Sequence, residues 1–256
     1  MSSVLFEIKD RLAIIRLNRP EKLNAFNREM GLLLLGRLGT CANTNEIKAV
    51  YITGMGKGFC AGQDLAEVTD STDPGVAGML KEVYNPLVYA IRKMSKPVLA
   101  AVNGVAAGAG ANIALCCDIV VASSSASFIQ AFSKIGLVPD SGGTYFLPRL
   151  IGWQKASALA MLGEKVSATD AQQAGMIYKV FPEENFQEAS LEMARTLSKM
   201  PSLSMALIKE ALNISQSNTL DAQLVLEDEY QQKAAASGDF KEGIQAFLEK
   251  RQPQFT

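Results

Sequence analysis

Ten residues, Asn103 to Asn112 (NGVAAGAGAN), constrain this chain more than any other stretch. The run before them, Pro97-Val98-Leu99-Ala100-Ala101-Val102, has the length and branching of a buried strand. Ile113-Ala114-Leu115-Cys116-Cys117 continues after them as an apolar, helix-like segment. The link between is almost wholly Gly and Ala, small enough for a backbone to approach another surface closely. The opening amides of a helix have no partner within it, and the helix dipole is positive there. Strand, small-residue turn and helix start together make a seat for an anionic or carbonyl oxygen. The same residues would also serve plain close packing of a helix on a strand.

The rest of the chain reads as repeated strand–turn–helix units. Residues 4–9 and 12–17 are short strands, and a polar loop (18–25) follows. Asn27 caps a helix to about Cys41, with Met30, Leu33, Leu34 and Leu38 on its apolar side. Residues 48–53, 118–122 and 176–181 are further strands, and residues 127–130 form a short segment between them. A helix covers 76–95, interrupted near Pro86. Residues 136–144 turn into a helix, and Ser167-Ala168-Thr169-Asp170 has the form of a capping box with Asp in place of Glu. From Glu184 the pattern is helical, broken at Pro201 and near Ser237-Gly238. The expected architecture is α/β, with a core over 1–200 and a helical C-terminal region over 201–256 that serves oligomerisation.

Composition removes several functions. A length of 256 residues with 48% hydrophobic content supports a large core. The net charge of −1 argues against nucleic acid or an anionic membrane as partner. No apolar run reaches transmembrane length and the start lacks a signal-like segment, so a cytoplasmic protein is expected. The chain has no His, which removes Ser-His and Cys-His nucleophile pairs and imidazole metal ligands. Cys41, Cys60, Cys116 and Cys117 lack metal-ligand spacing, and no metal is expected. The loop Gly54 to Leu65 is glycine-rich but carries neither a P-loop nor a GxGxxG spacing. Acid–base chemistry therefore falls to Asp, Glu, Lys, Tyr or Cys.

Three loops read together, Phe59-Cys60-Ala61-Gly62-Gln63-Asp64-Leu65, Asn103 to Ala114 and Gly136 to Thr144, resemble the crotonase (enoyl-CoA hydratase/isomerase) superfamily. Leu17-Asn18-Arg19-Pro20 with Asn24-Ala25 at the start, and Glu242-Gly243, Ala246-Phe247 and Lys250-Arg251 in the tail, extend the likeness over essentially the whole chain. The resemblance implies a spiral of ββα units, assembled as a homotrimer or a dimer of trimers, that binds an acyl-CoA thioester. It implies no cofactor beyond the coenzyme A of the substrate. In it, the amides of Gln63 and Ala109 form an oxyanion hole for a thioester enolate, with Ala109 where the family commonly has Gly. Lys22, Leu23, Ala25, Ala61 and Leu65 fall where the family holds the CoA moiety. Asp64 reads either as part of that site or as a residue that fixes its loop.

The departures from the pattern bear on the reaction. The two glutamates with which family hydratases add water correspond here to Asn112 and Phe132, neither of which exchanges a proton as a carboxylate does. Asp140 stands where some superfamily isomerases place a catalytic Asp. The resemblance thus implies an isomerase that acts on an epoxyphenylacetyl thioester or shifts a 3-enoyl double bond to the 2-position. Phe132 would give the pocket an apolar wall, and Asn112 would contact substrate or satisfy a neighbouring backbone group. Read locally, Asp140 could instead be an N-cap for the helix that follows it. Cys60 as a nucleophile, Tyr84 and Tyr145 as pocket residues, and Lys241 and Lys250 as contacts to CoA phosphates are weaker candidates. The alternatives to an isomerase are a hydratase, an enzyme with Asp as nucleophile, and a CoA-binding scaffold without turnover.

Overall fold

A computed structural model describes residues 2–68 and 75–256, apart from the side chains of residues 67 and 68. Among the described residues ten strands occur in chain order: β1 (Val4–Lys9), β2 (Leu12–Leu17), β3 (Ala49–Gly54), β4 (Gly58–Cys60), β5 (Val98–Val102), β6 (Val105–Ala107), β7 (Ile119–Ser123), β8 (Ser127–Ile129), β9 (Lys165–Ser167) and β10 (Lys179–Phe181). They form a six-stranded sheet in the order β1-β2-β3-β5-β7-β10 and a four-stranded sheet in the order β4-β6-β8-β9. In the larger sheet β1 and β2 make an antiparallel hairpin with Val4 opposite Leu17, and the remaining pairings are parallel. The chain steps from the large sheet to the small one and back, β3 to β4 and β5 to β6, and this passage brings its loops together.

The central strands of the large sheet, β2, β3, β5 and β7, are largely apolar because both faces are covered, whereas the edge strands β1 and β10 carry exposed residues. Val98, Ala100 and Val102 of β5 belong to the main core, with Met30, Leu34 and Leu38 of the Arg28–Asn43 helix and Leu87 and Ile91 of the Asn85–Lys93 helix. Leu99 and Ala101 face a second, smaller core with Leu12, Ile14, Tyr51 and Val121, closed by Phe186 and Ala194 of the Phe186–Ser198 helix. Helix starts follow local chemistry. The Asn27 side chain accepts from the Met30 amide, and Ser167 accepts from the Asp170 amide as the expected capping box requires, but the shorter Asp170 carboxylate accepts from the Ser167 hydroxyl rather than from its backbone N–H.

Some elements differ from the sequence reading. The link after Val102 is not a bare turn: Val105–Ala107 pairs with β4 and β8, and the helix begins at Ala109, so it takes in Asn112. Only Lys179–Phe181 of the expected 176–181 strand is paired. The segment 75–93 is helical in three pieces, with a π-helical turn, Leu80–Tyr84, immediately before the piece that contains Pro86. The C-terminal part breaks at Pro201 and at Ser237 as expected, and once more before Thr219, which caps the Leu220–Ala235 helix. Among the described residues no helix is long and apolar enough to cross a membrane.

Candidate active site

The two loops expected to hold the thioester oxygen meet. Gly62 (φ 96°) and Gly108 (φ 53°) both take left-handed backbone that larger residues adopt at a cost. A Cβ on Gly62 would stand 2.9 Å from the Ala107 carbonyl oxygen and 3.7 Å from the Ala109 nitrogen, so the chains pass in close contact. The Gln63 loop is pinned on its other side: Phe26 N–H donates to Gly62 O (2.6 Å), Asp64 N–H donates to Phe26 O (2.8 Å), and Ala61 N–H donates to Leu23 O (3.0 Å). The helix of Ala109 is seated by Gly110, where a Cβ would lie 2.5 Å from the Cys60 carbonyl oxygen and 2.6 Å from its Sγ. The amides of Gln63 and Ala109 have no acceptor among the described residues.

These residues open on a cavity of about 190 Å³ whose walls include Ala61, Leu65, Met79, Tyr84, Phe132 and Asp140. Tyr84 reaches it from the π-helical turn, an irregularity that often occurs at functional sites. Its hydroxyl donates to the Gln63 side-chain carbonyl, so the side chain of one expected oxyanion residue is tied to the wall. Phe132 is buried and lies near Gly108. Ile135 and Leu137, on either side of Gly136, complete an apolar rim.

Asp140 is the one carboxylate on this cavity among the described residues. Burial pushes its pKa up to about 6, against the opposing effect of the Ser141 hydroxyl, which donates to Oδ1 at 2.9 Å. It is not a helix cap. The Gly143–Ile151 helix has Gly142 at its N-cap, with no side-chain cap bond, and Asp140 contributes only its backbone carbonyl, which accepts from Gly143 N–H at 2.8 Å. Ser141 (φ 51°) and Gly142 (φ 78°) turn the chain between Asp140 and the helix, leaving the carboxylate free to face the cavity.

The other expected residues separate into groups. Lys22 and Leu23 are exposed and Ala25 is buried beside the loop that Ala61 begins. Asp64 turns away from the cavity to pair with Arg19 at 2.8 Å and to accept from the Ala66 amide at 3.3 Å. Burial acts to raise its pKa, but Arg19, the Ala66 amide and the charge of Lys22 outweigh it and hold the carboxyl below its usual range. Asp64 therefore fixes its loop. Asn112 is fully buried behind the cavity wall, its Nδ2 donating to the Asp140 carbonyl at 2.9 Å and its Oδ1 accepting from Gln130 Nε2 at 2.8 Å. Its place as a substrate contact gives way to that of a residue engaged at both ends by protein.

Cys60 does not fit a nucleophile: it is packed under Gly110, and burial pushes its pKa up to about 12. Tyr145 stacks beneath Arg149, 3.7 Å from its ring centroid, outside the cavity. Lys241 and Lys250 are exposed in the last helical segment and at its left-handed cap, and neither lines the cavity. Sequence reasoning missed the Tyr84–Gln63 tie and the Gln130–Asn112 pair, because nothing local marks a side chain that crosses between elements. It also missed Met79, Ile135 and Leu137, which read as ordinary apolar positions.

Two sheets of mostly parallel strands, crossed by helices and followed by a helical C-terminal part, make up the crotonase fold. Residues 7–256 match the family described as Enoyl-CoA hydratase/isomerase, and the chain belongs to that family. It is 47% identical over 259 residues to the 1,2-epoxyphenylacetyl-CoA isomerase of Escherichia coli K12, covering 100% of this chain and 99% of that one. It is 36% identical to the 2,3-dehydroadipyl-CoA hydratase of the same organism over 100% of this chain and 99% of that one. The crystal structure of an enoyl-CoA hydratase from Polaromonas sp. JS666 is similar with a TM-score of 0.92 and 37% identity, over 99% of each chain.

Proposed function

We propose that this enzyme is an acyl-CoA isomerase that moves a proton with Asp140 while the amides of Gln63 and Ala109 hold the thioester oxygen. The observation that carries the reading is Asp140 itself: among the described residues it is the one carboxylate on the cavity, and its pKa is raised to about 6. Hydration by the two-glutamate route needs another acid–base group, and the positions expected for that pair hold Asn112 and Phe132. Isomerisation needs one. With a 3-enoyl thioester, the Asp140 carboxylate takes a proton from the carbon next to the carbonyl. The electron pair then spreads onto the thioester oxygen, where two N–H donors stabilise it; one such donor typically lowers a barrier by about 3 kcal/mol. The protonated Asp140 returns the proton to the fourth carbon, and the double bond comes to rest at the 2-position.

The similarity to an epoxyphenylacetyl-CoA isomerase supports a ring epoxide thioester as a second substrate, and the apolar wall of Phe132 suits an unsaturated ring. Lys22, Leu23, Ala25, Ala61 and Leu65 hold the CoA moiety at the mouth beside Ala61 in this reading. The C-terminal helices leave Leu220, Leu224, Val225, Phe247 and Leu248 exposed, which supports self-association, and the family likeness makes the assembly a homotrimer or a dimer of trimers.

The test compares the parent with Asp140→Asn on 3-enoyl-CoA, epoxyphenylacetyl-CoA and crotonyl-CoA, followed by absorbance. The expected result is isomerisation in the parent, lost by at least about a hundredfold in the variant, with crotonyl-CoA hydration slow in both. Near-normal isomerisation by Asp140→Asn, or hydration as the fastest reaction of the parent, overturns the proposal.

A further inference from the structure

The helix Ala109–Leu115 contributes to both halves of the site. Its first residue carries one oxyanion amide. One turn later on the same face stands Asn112. Asn112 donates from Nδ2 to the carbonyl of Asp140 at 2.9 Å and accepts at Oδ1 from Gln130 Nε2 at 2.8 Å. Gly143 lets the Asp140 turn approach this side chain, because a Cβ there would fall 2.2 Å from Asn112 Nδ2.

We propose that Asn112 is a positioning residue which, oriented by Gln130, fixes the Asp140 turn relative to the Ala109 amide and so sets the distance between base and oxyanion hole. The inference rests on the reading of Asp140 as the base. The chemistry of the position supports it. The group must donate to one neighbour and accept from the other at once, and a primary amide does both. A carboxylate here would set its oxygens against the Asp140 carbonyl oxygen, and an apolar side chain would leave the buried Gln130 Nε2 without this partner and the Asp140 carbonyl with the Gly143 amide alone. The rest of the turn has little to hold it. Ser141 and Gly142 are both left-handed, and among the described residues the carbonyl of Asp140 has only the Gly143 amide as a second donor. Through one helical turn, the spacing between the two catalytic halves becomes a property of rigid backbone.

The test measures kcat, KM and the pH profile of isomerisation for Asn112→Leu, Asn112→Asp and Gln130→Leu beside Asp140→Asn. Misplacing a base lowers kcat more than KM, so Asn112→Leu is expected to lose at least about tenfold in kcat with KM within about threefold of the parent. The acid limb of the profile supplies a readout that a purely structural role would not move. Asn112→Leu frees the turn, admits water to Asp140 and shifts the limb down, whereas Asn112→Asp adds a negative charge behind Asp140 and shifts it up. Gln130→Leu is expected to follow Asn112→Leu in weaker form, and it and Asn112→Asp decide the question if Asn112→Leu does not fold. Folded variants that retain parental kcat and acid limb while Asp140→Asn is inactive overturn the positioning role alone. An active Asp140→Asn overturns the assignment of the base beneath it.

Discussion

At the scale of single residues, the raised pKa of Asp140 has a cost as well as a use. A carboxyl that binds its proton more tightly in the folded than in the unfolded chain loses stability when it ionises. Asp140 goes from an ordinary 3.8 to about 6 on folding, so its contribution falls as pH rises across that interval and stays low above it. Asn cannot ionise. Asp140→Asn is therefore expected to be more stable than the parent at about pH 8, by roughly 1–3 kcal/mol, and equal to it at about pH 4. Chemical denaturation at the two pH values checks this, and a variant less stable at both would place a stabilising contact on the carboxylate. The parent's kcat/KM should rise with pH through about 6, as the base ionises. Little of this was legible locally. The residues after Asp140 read as a helix start, and only the family likeness pointed to a base; the two left-handed residues that move the cap to Gly142 have no sequence signature when one of them is Ser.

Between elements, the site depends on backbone contact between short pieces. Gly110 stands where the start of the Ala109–Leu115 helix rests on β4, with the carbonyl and sulfur of Cys60 both inside the space a methyl would need. Helix propensity alone favours Ala over Gly by about 1 kcal/mol. The clash with a carbonyl oxygen that cannot swing aside outweighs it, and Gly110→Ala is expected to destabilise the fold by about 1–3 kcal/mol. The shift also displaces the Ala109 amide, so kcat should fall even in the folded fraction. Urea melts with activity measured at low denaturant separate the two effects, and a variant as stable and as fast as the parent contradicts the packing described. The long apolar strands β2, β3, β5 and β7 and the capped Asn27 helix were readable because periodicity and caps are local signals. The small sheet was not. Strands of three residues, such as β4, β6, β8 and β9, are too short to show alternation, and they pair only because the large sheet brings them together.

For the molecule as a whole, the least legible feature is how the C-terminal helices are tied to the core. Lys209, on the Ser202–Ser215 helix, is 7% exposed and sits against Asp118 at 2.7 Å, with the carbonyls of Ile91 and Lys96 at 2.7 and 3.0 Å. Arg92 joins the same carboxylate at 3.2 Å, and its backbone carbonyl accepts from the Asn213 amide at 3.1 Å. In sequence these are unremarkable charges on separate elements; no pattern predicts that three distant residues will share one buried place. Burial lowers the pKa of Lys209 and the charge of Asp118 opposes it, so the ammonium depends on the carboxylate beside it. The two partners are not equivalent. Losing Asp118 leaves two cations facing each other with no counter-charge, whereas losing Lys209 leaves Asp118 still paired with Arg92. Asp118→Asn is thus expected to cost about 3–5 kcal/mol, and Lys209→Met, which keeps the apolar stem, distinctly less. Because none of Lys209, Asp118 and Arg92 lines the cavity, KM for the thioester should stay near the parent's in whatever fraction remains folded. Equal losses of stability from the two substitutions in thermal and denaturant melts would mean that the carboxylate serves Lys209 alone and that Arg92 adds nothing to the tie.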